Sequence, residues 1–392
     1  MAEAPRCDQR SRRMFVAGAT LFTMLLASCS GVVPRGGRPA PAAPKPQAQS
    51  EIAPQDQPRH RVAVLVPLSG PNASVGQSIA NAASMALIDT SNRSIRLTTY
   101  DTATGAAAAA KRALADGNRL FLGPLLSQDV AAVAAEARNA SVPVVAYSND
   151  TSVVGDGVYL MGFSPNQSVD RVVRYAKGRG ITKFAALVPA GVYGRNASTA
   201  MIRAVESAGG SLVAMKSYDR SPKSLGVAVA QLGKGQPYDA VLVADNARIA
   251  TQAVPLVRKA TSPQARVMGT ELWQAESGLL TSPILAGSWF ASVSDKRYRQ
   301  LAVGYKRQFG RAPFRLASLG YDSMLLVIKA TGSWKVGDRF PANMLRDPDG
   351  FVGVDGAFRF GPTGIAERAL EVQELSPAGV KTVSEAPASF KQ

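Results

Sequence analysis

From Arg61 onward the chain repeats one pattern: a short apolar run, a turn, then an alanine-rich stretch with helical spacing. Residues 61–67 read Arg-Val-Ala-Val-Leu-Val-Pro, an unbroken apolar run of the kind that forms a strand covered on both faces. A helix is predicted over 72–90, with Ile79, Ala82, Ala83, Ala86 and Leu87 on one side. Strands near 95–100, 120–122 and 142–147 alternate with helices near 104–116 and 127–139. The alternation restarts after Pro165, with strands near 183–188, 212–217 and 239–243 and helices near 166–178, 194–208, 222–233 and 246–260. Strands separated by helices of this length imply βαβ units with right-handed crossovers and helices on both sheet faces. About 330 residues exceed what one core usually supports, so the expected fold class is α/β, with two doubly wound parallel-sheet lobes.

Counting side chains excludes several chemistries. The two cysteines are Cys7 and Cys29, both far from the repeating region, and the one histidine is His60. A disulfide, a cysteine nucleophile, a Ser-His-Asp triad and an HExxH zinc site therefore cannot be built in the folded part. GxSxG, GxxxxGK[ST] and a GxGxxG following a strand are absent as well. The expectation is a protein that is not an enzyme and carries no cofactor and no metal. His60 is expected to be a solvated residue ahead of the first strand.

The N-terminus has its own logic. Arg6, Arg10, Arg12 and Arg13 precede an apolar run from Met14 to Leu26 that is too short to span a bilayer. Leu26-Ala27-Ser28-Cys29 resembles the lipobox of bacterial lipoprotein signals, which implies cleavage after residue 28 and a lipid on Cys29. Ser11-Arg12-Arg13-Met14-Phe15 also resembles a twin-arginine export signal, and the choice between the two export routes stays open. Residues 29–60 hold seven prolines between Pro34 and Pro58 with few apolar residues, so this stretch reads as an extended tether. The formal charge is +17 overall and +13 for residues 61–392, which favours anionic surfaces. For an exported lipoprotein these are lipid headgroups, cell-wall polymers or acidic protein patches rather than nucleic acid.

Further along, Phe121-Leu-Gly123-Pro124-Leu-Leu-Ser127 and Val142-Pro143-Val144-Val145 resemble the first lobe of type I periplasmic binding proteins, such as the branched-chain amino-acid receptors. Val192-Tyr193-Gly194, Ala208-Gly209-Gly210, Tyr238-Asp239-Ala240-Val241, Tyr321-Asp322-Ser323 and Gly353-Val354-Asp355-Gly356 continue the likeness in order to about residue 376. The resemblance implies two lobes joined by three hinge crossings, with a ligand in the cleft. It divides the chain into 61–163 plus 291–352 for the first lobe and 164–290 plus 353–392 for the second. It also implies ligand contacts. Ser127 at a helix start, with Ser148 and Thr151 after a strand, would cradle a carboxylate. Tyr193 would close over the ligand, and Glu271 would pair with an ammonium group. The chain departs from the family pattern at Asn246 and Ala247, where an aromatic is usual, at Trp273, expected to add bulk near the crevice, and over 102–110, which lacks the usual proline.

In layout the chain resembles lipoprotein activators of penicillin-binding proteins, which share the lipobox, the proline-rich tether and the binding-protein body. The leading expectation is thus a lipid-anchored regulator of peptidoglycan synthesis, on the periplasmic side of the envelope and by Ser30 at the outer membrane, with a peptidoglycan synthase or the cell wall as partner. The alternative is the substrate receptor of an ABC importer for branched-chain or other amino acids, with an amino-acid-like ligand in the cleft.

Overall fold

The computed structural model describes residues 58–260, 262–387 and 390. The signal segment, Cys29 and the tether up to residue 57 lie outside the described residues. The first lobe opens with β1 (His60–Val66), α1 (Ala73–Asp89), β2 (Ile95–Asp101), α2 (Ala106–Ala115), β3 (Leu120–Leu122), α3 (Ser127–Asn139), β4 (Val144–Ala146) and β5 (Val158–Leu160). Its sheet is parallel throughout, in the order β2-β1-β3-β4-β5. The second lobe holds α4 (Pro165–Gly178), β6 (Lys183–Pro189), α5 (Val192–Ser207), β7 (Ser211–Tyr218), α6 (Pro222–Gly233), β8 (Ala240–Val243), α7 (Ala247–Arg258), β9 (Arg266–Gly269) and β10 (Trp289–Ser292). There the order β7-β6-β8-β9-β10 repeats that of the first lobe. The chain then returns to the first lobe for α8 (Lys296–Phe309) and α9 (Ala317–Ala330), and for the hairpin strands β11 (Phe351–Gly353), β12 (Gly356–Phe360) and β13 (Ala366–Arg368). It ends with β14 (Glu371–Ser376) and β15 (Gly379–Ser384), antiparallel additions to the second sheet.

The unbroken apolar runs are explained by the layers. Val62, Val64 and Val66 face α1 and α9, whereas Ala63 and Leu65 face α2 and α3, and all five are fully buried. Phe184, Ala186 and Val188 pack on α4 and α5, while Ala185 and Leu187 pack on α6 and α7. Alanine suits the helices because short side chains let them lie close on a twisted sheet; Ala109, Ala110 and Ala113 of α2 are wholly enclosed.

Three readings from sequence are corrected. His60 is not solvated: it is the first residue of β1, 4% exposed, with its ring 4.3 Å from that of Trp334. Its burial lowers its pKa, so the neutral ring packs as an aromatic. The closing hairpin lies in the first lobe rather than the second. Phe351, Phe358 and Phe360 join the core of Val62 and Leu326, because the hairpin has one apolar face and the first lobe covers it, with Tyr159 of β5 against Phe360. The first lobe thus runs on to Arg368, and the crossings between lobes fall at 161–164, 293–295 and 369–370. Trp273, expected at the crevice, is fully buried in the second lobe, against Phe290 and over Gly269.

Each lobe also seats the first turn of a helix directly on the preceding strand end. A Cβ on Gly76 of α1 would stand 1.8 Å from the Pro67 carbonyl oxygen, and one on Gly194 of α5 would stand 1.6 Å from that of Pro189. Gly76→Ala and Gly194→Ala are each expected to destabilise the protein by about 1–3 kcal/mol in denaturant unfolding, through forced backbone shifts. Gly226→Ala in α6, where nothing lies within 4 Å, should be stabilising by about 0.5–1 kcal/mol.

Candidate functional site

The strand order 2-1-3-4-5 has its topological switch between β1 and β3, and ligands of such sheets bind outside the carboxyl ends of the strands at that point. The structure has a cavity of about 370 Å³ there. Asn72 and Val75 reach it from the turn after β1, Leu125 and Leu126 from the turn after β3, and Tyr147 and Asn149 from the end of β4. Glu271, Leu272, Gln274 and Ala275, which follow β9, close it from the second lobe. Phe163 of the first crossing, with Arg315 and Leu316 just ahead of α9, completes the wall. The volume lies in the range of small-molecule sites, and the wall is mostly apolar with a few polar groups.

Glu271 is the fixed polar point of the second lobe. The residue is 9% exposed; Oε1 accepts from the Tyr193 hydroxyl at 2.9 Å, and Oε2 accepts from the Ser168 hydroxyl of α4. Tyr193 also lies 2.8 Å from the Thr270 hydroxyl. Burial raises the pKa of Glu271, and the hydroxyls of Ser168 and Tyr193 partly offset that rise. Burial together with the nearby Glu271 charge pushes the Tyr193 phenol well above its usual range, so it stays a donor. Each carboxylate oxygen keeps a lone pair for a ligand donor.

Arg315 is the opposite pole. It donates from Nη2 to Asp355 Oδ1 at 2.7 Å and to Gln274 Oε1 at 3.3 Å, and from Nη1 to Ser318 Oγ at 2.8 Å. Its guanidinium lies 4.1 Å from the centre of the Tyr298 ring and 5.6 Å from that of Phe163, and Asp295 stands 3.6 Å from Nε. Asp295 belongs to the second crossing and is held by Gln274 of the second lobe at 2.7 Å. Arg368, just before the third crossing, donates to the Met161 carbonyl at 2.7 Å and sits 4.7 Å over Phe163. Asp322 of α9 accepts from the backbone N–H groups of Val354 and Asp355, and burial, with Asp355 beside it, pushes its pKa up to about 7. One buried ionic cluster therefore links all three crossings to the cavity wall.

Of the residues expected to touch a ligand, Tyr193 and Glu271 are brought together, and Glu271 lines the cavity. Ser127 begins α3 beside the lining residues Leu125 and Leu126, and its hydroxyl makes no capping bond, since Leu126 holds the N-cap position. Ser148 is buried between the lining residues Tyr147 and Asn149, and its hydroxyl accepts from the Asp150 N–H at 3.1 Å. Thr151 lines a separate polar depression with Asn166, Asp170, Asn196, Thr199 and Arg203. Asn246 caps α7 through the Ile249 N–H, which accounts for a short amide there in place of an aromatic. Sequence reasoning missed Ser168, Phe163 and Arg315. Ser168 and Glu271 are 103 residues apart and Arg315 and Asp355 are 40 apart, so no local spacing announces either pair.

The sequence profile of the family described as periplasmic binding protein matches residues 60–379. The chain belongs to that family. It is a family of exported, periplasmic proteins, and among the described residues no helix is long and apolar enough to cross a membrane. Among solved structures the chain is similar to a branched-chain amino-acid transporter substrate-binding protein of Streptococcus pneumoniae in complex with isoleucine, at 18% identity and a TM-score of 0.63, over 84% of this chain and 99% of that one. It is also similar to an ABC-transporter solute-binding protein of Rhodopseudomonas palustris in complex with 4-hydroxybenzoate, at 17% identity and a TM-score of 0.65, over 85% and 98%. These likenesses establish the two-lobed type I fold. A curated relative, an uncharacterized protein of Rickettsia prowazekii, is 26% identical over 185 residues, 47% of this chain and about half the relative's length.

Removing Arg315 would leave Asp355, which is fully buried, without its cation. Arg315→Met is expected to lower stability by about 3–5 kcal/mol in denaturant unfolding, and adding Asp355→Leu should restore much of that loss, because the orphaned charge is then gone.

Proposed function

We propose that this protein is an envelope solute receptor that takes a small amphipathic organic solute, an amino acid or an aromatic acid, into the cavity between its lobes. The observation that carries this reading is the cavity itself. It is built from both lobes at the switch point, has an apolar wall, and presents Glu271 with hydroxyl donors already on both of its oxygens. A ligand ammonium or hydroxyl would meet Glu271, and the apolar part would lie on Leu125, Leu126 and Phe163. The free N–H groups at the start of α3, beside Ser127, are the place for a ligand carboxylate. Isoleucine and 4-hydroxybenzoate in the structural neighbours support a ligand of this size and polarity.

The test is thermal and calorimetric. At a hundred times its dissociation constant a ligand stabilises by about 2.7 kcal/mol, so branched-chain amino acids and benzoates should be screened at millimolar concentration for an upward shift in Tm. Ala275→Trp, which fills the cavity from an exposed position, should abolish the shift while leaving the unliganded Tm close to wild type. A flat response across both ligand classes would overturn the receptor reading and return the synthase regulator to first place.

The lipid anchor belongs to the same proposal and rests on Leu26-Ala27-Ser28-Cys29, outside the described residues. Mass spectrometry of the processed protein should find it beginning at Cys29 with lipid mass attached. A Cys29→Ala protein processed and retained in membranes like the wild type would refute the anchor and, with it, placement at the outer membrane.

A further inference from the structure

We propose that the outer face of α8 is a docking surface for an anionic lipid bilayer, separate from the cleft and independent of what the cleft binds. Residues 296–311 carry six basic side chains and no acid, and the folded body as a whole carries +13. At 100° per residue, Lys296, Arg299, Gln300, Val303, Lys306, Arg307 and Gly310 fall within about a third of a turn. The structure leaves all seven exposed, while Leu301 and Tyr305 on the opposite side are buried against Ala82, Met85 and Ala317. None of Lys296, Arg299, Lys306, Arg307 and Arg311 forms a salt bridge among the described residues; Asp295, which precedes the helix, pairs with Arg315 and lies within electrostatic reach of Arg299.

Two features select a bilayer over a soluble polyanion. Val303 sits at the centre of the cationic face and is 61% exposed, an arrangement that serves no purpose against a wholly polar polymer but suits a helix lying at the headgroup boundary. Phe314, shortly after the helix, is 48% exposed. The fourteen residues of α8 give a face about 20 Å long, and each cation close to an anionic surface contributes about 1 kcal/mol. The expected lipid on Cys29 would hold this face within reach of a membrane.

The experiment uses the chain from Ser30 to Gln392, which retains the entire compact body but has no lipid. It is mixed with vesicles of phosphatidylcholine alone or containing phosphatidylglycerol, and partitioning is measured by co-sedimentation at two salt concentrations. Binding is expected only with the anionic lipid and should weaken with salt. Lys306→Gln with Arg307→Gln should lower the partition coefficient about thirtyfold, whereas Lys223→Gln with Lys234→Gln, exposed cations of the second lobe, should change it little. The emission of Val303→Trp should shift to shorter wavelength on anionic vesicles. Equal losses from the two double variants would overturn the proposal in favour of diffuse net charge. Capture by a soluble wall polyanion without capture by vesicles would likewise overturn it.

Discussion

The ion pair between Arg315 and Asp355 is the constraint on which the arrangement of the lobes depends. Asp355 has no exposure, and Arg315 Nε and Asp355 Oδ2 are buried without a hydrogen-bond partner among the described residues, so charge attraction within the cluster has to offset their desolvation. Here the surrounding groups are drawn from the parts that must be held together: Asp295 from the second crossing, Phe163 from the first, Gln274 from the second lobe, and Ser318 from α9. The same guanidinium forms part of the cavity wall. Under the proposed receptor reading, a rotation of one lobe against the other would have to rearrange a contact that a bound solute also touches, which would couple occupancy to closure without any separate relay.

Glu271 plays the complementary part in the second lobe. Its two oxygens are fixed by hydroxyls from α5 and α4, so the carboxyl is positioned before any ligand arrives and costs little to order on binding. Trp273, two residues on, anchors this segment by filling the space over Gly269; the glycine is needed there because a Cβ would stand 2.2 Å from the indole. The segment after β9 is thus pinned from below by an aromatic and from the side by hydroxyls, leaving Leu272, Gln274 and Ala275 to face the cavity.

The layers of the fold were legible in the sequence because they depend on local periodicity. Residues 61–67 announced β1, and the alanine spacing announced α1 to α3. Strand β5 escaped because Val158–Leu160 follows Gly155 and Gly157 with no α-helix between it and β4, outside the strand–helix alternation, and owes its place to pairing with β4. His60 was misread for a related reason: nothing local indicates that Trp334, 274 positions away, will cover it. Glu271 and Tyr193 were singled out through family resemblance, whereas Arg315 was not, since its contacts arise only when Asp355, Asp295 and Gln274 converge. Resemblance also drew the hairpin into the wrong lobe; its aromatic face, Phe351, Phe358 and Phe360, carried the information that it would join an apolar core, but not which one.

The net charge of the body and the charge at the cleft point in different directions. Around the cavity and the crossings, Glu271, Asp295, Asp322 and Asp355 outnumber Arg315 and Arg368, and burial raises the pKa of the first three. The surplus of cations lies on outer surfaces, concentrated on α8. Long-range attraction can hasten the arrival of an anion, but it acts on every anion alike and fades within about 8 Å at physiological ionic strength. In the proposed receptor, selection among solutes would consequently fall to shape, to the apolar wall and to the hydroxyl-held carboxyl of Glu271, while the basic surface would be free to serve a contact that does not involve the cleft.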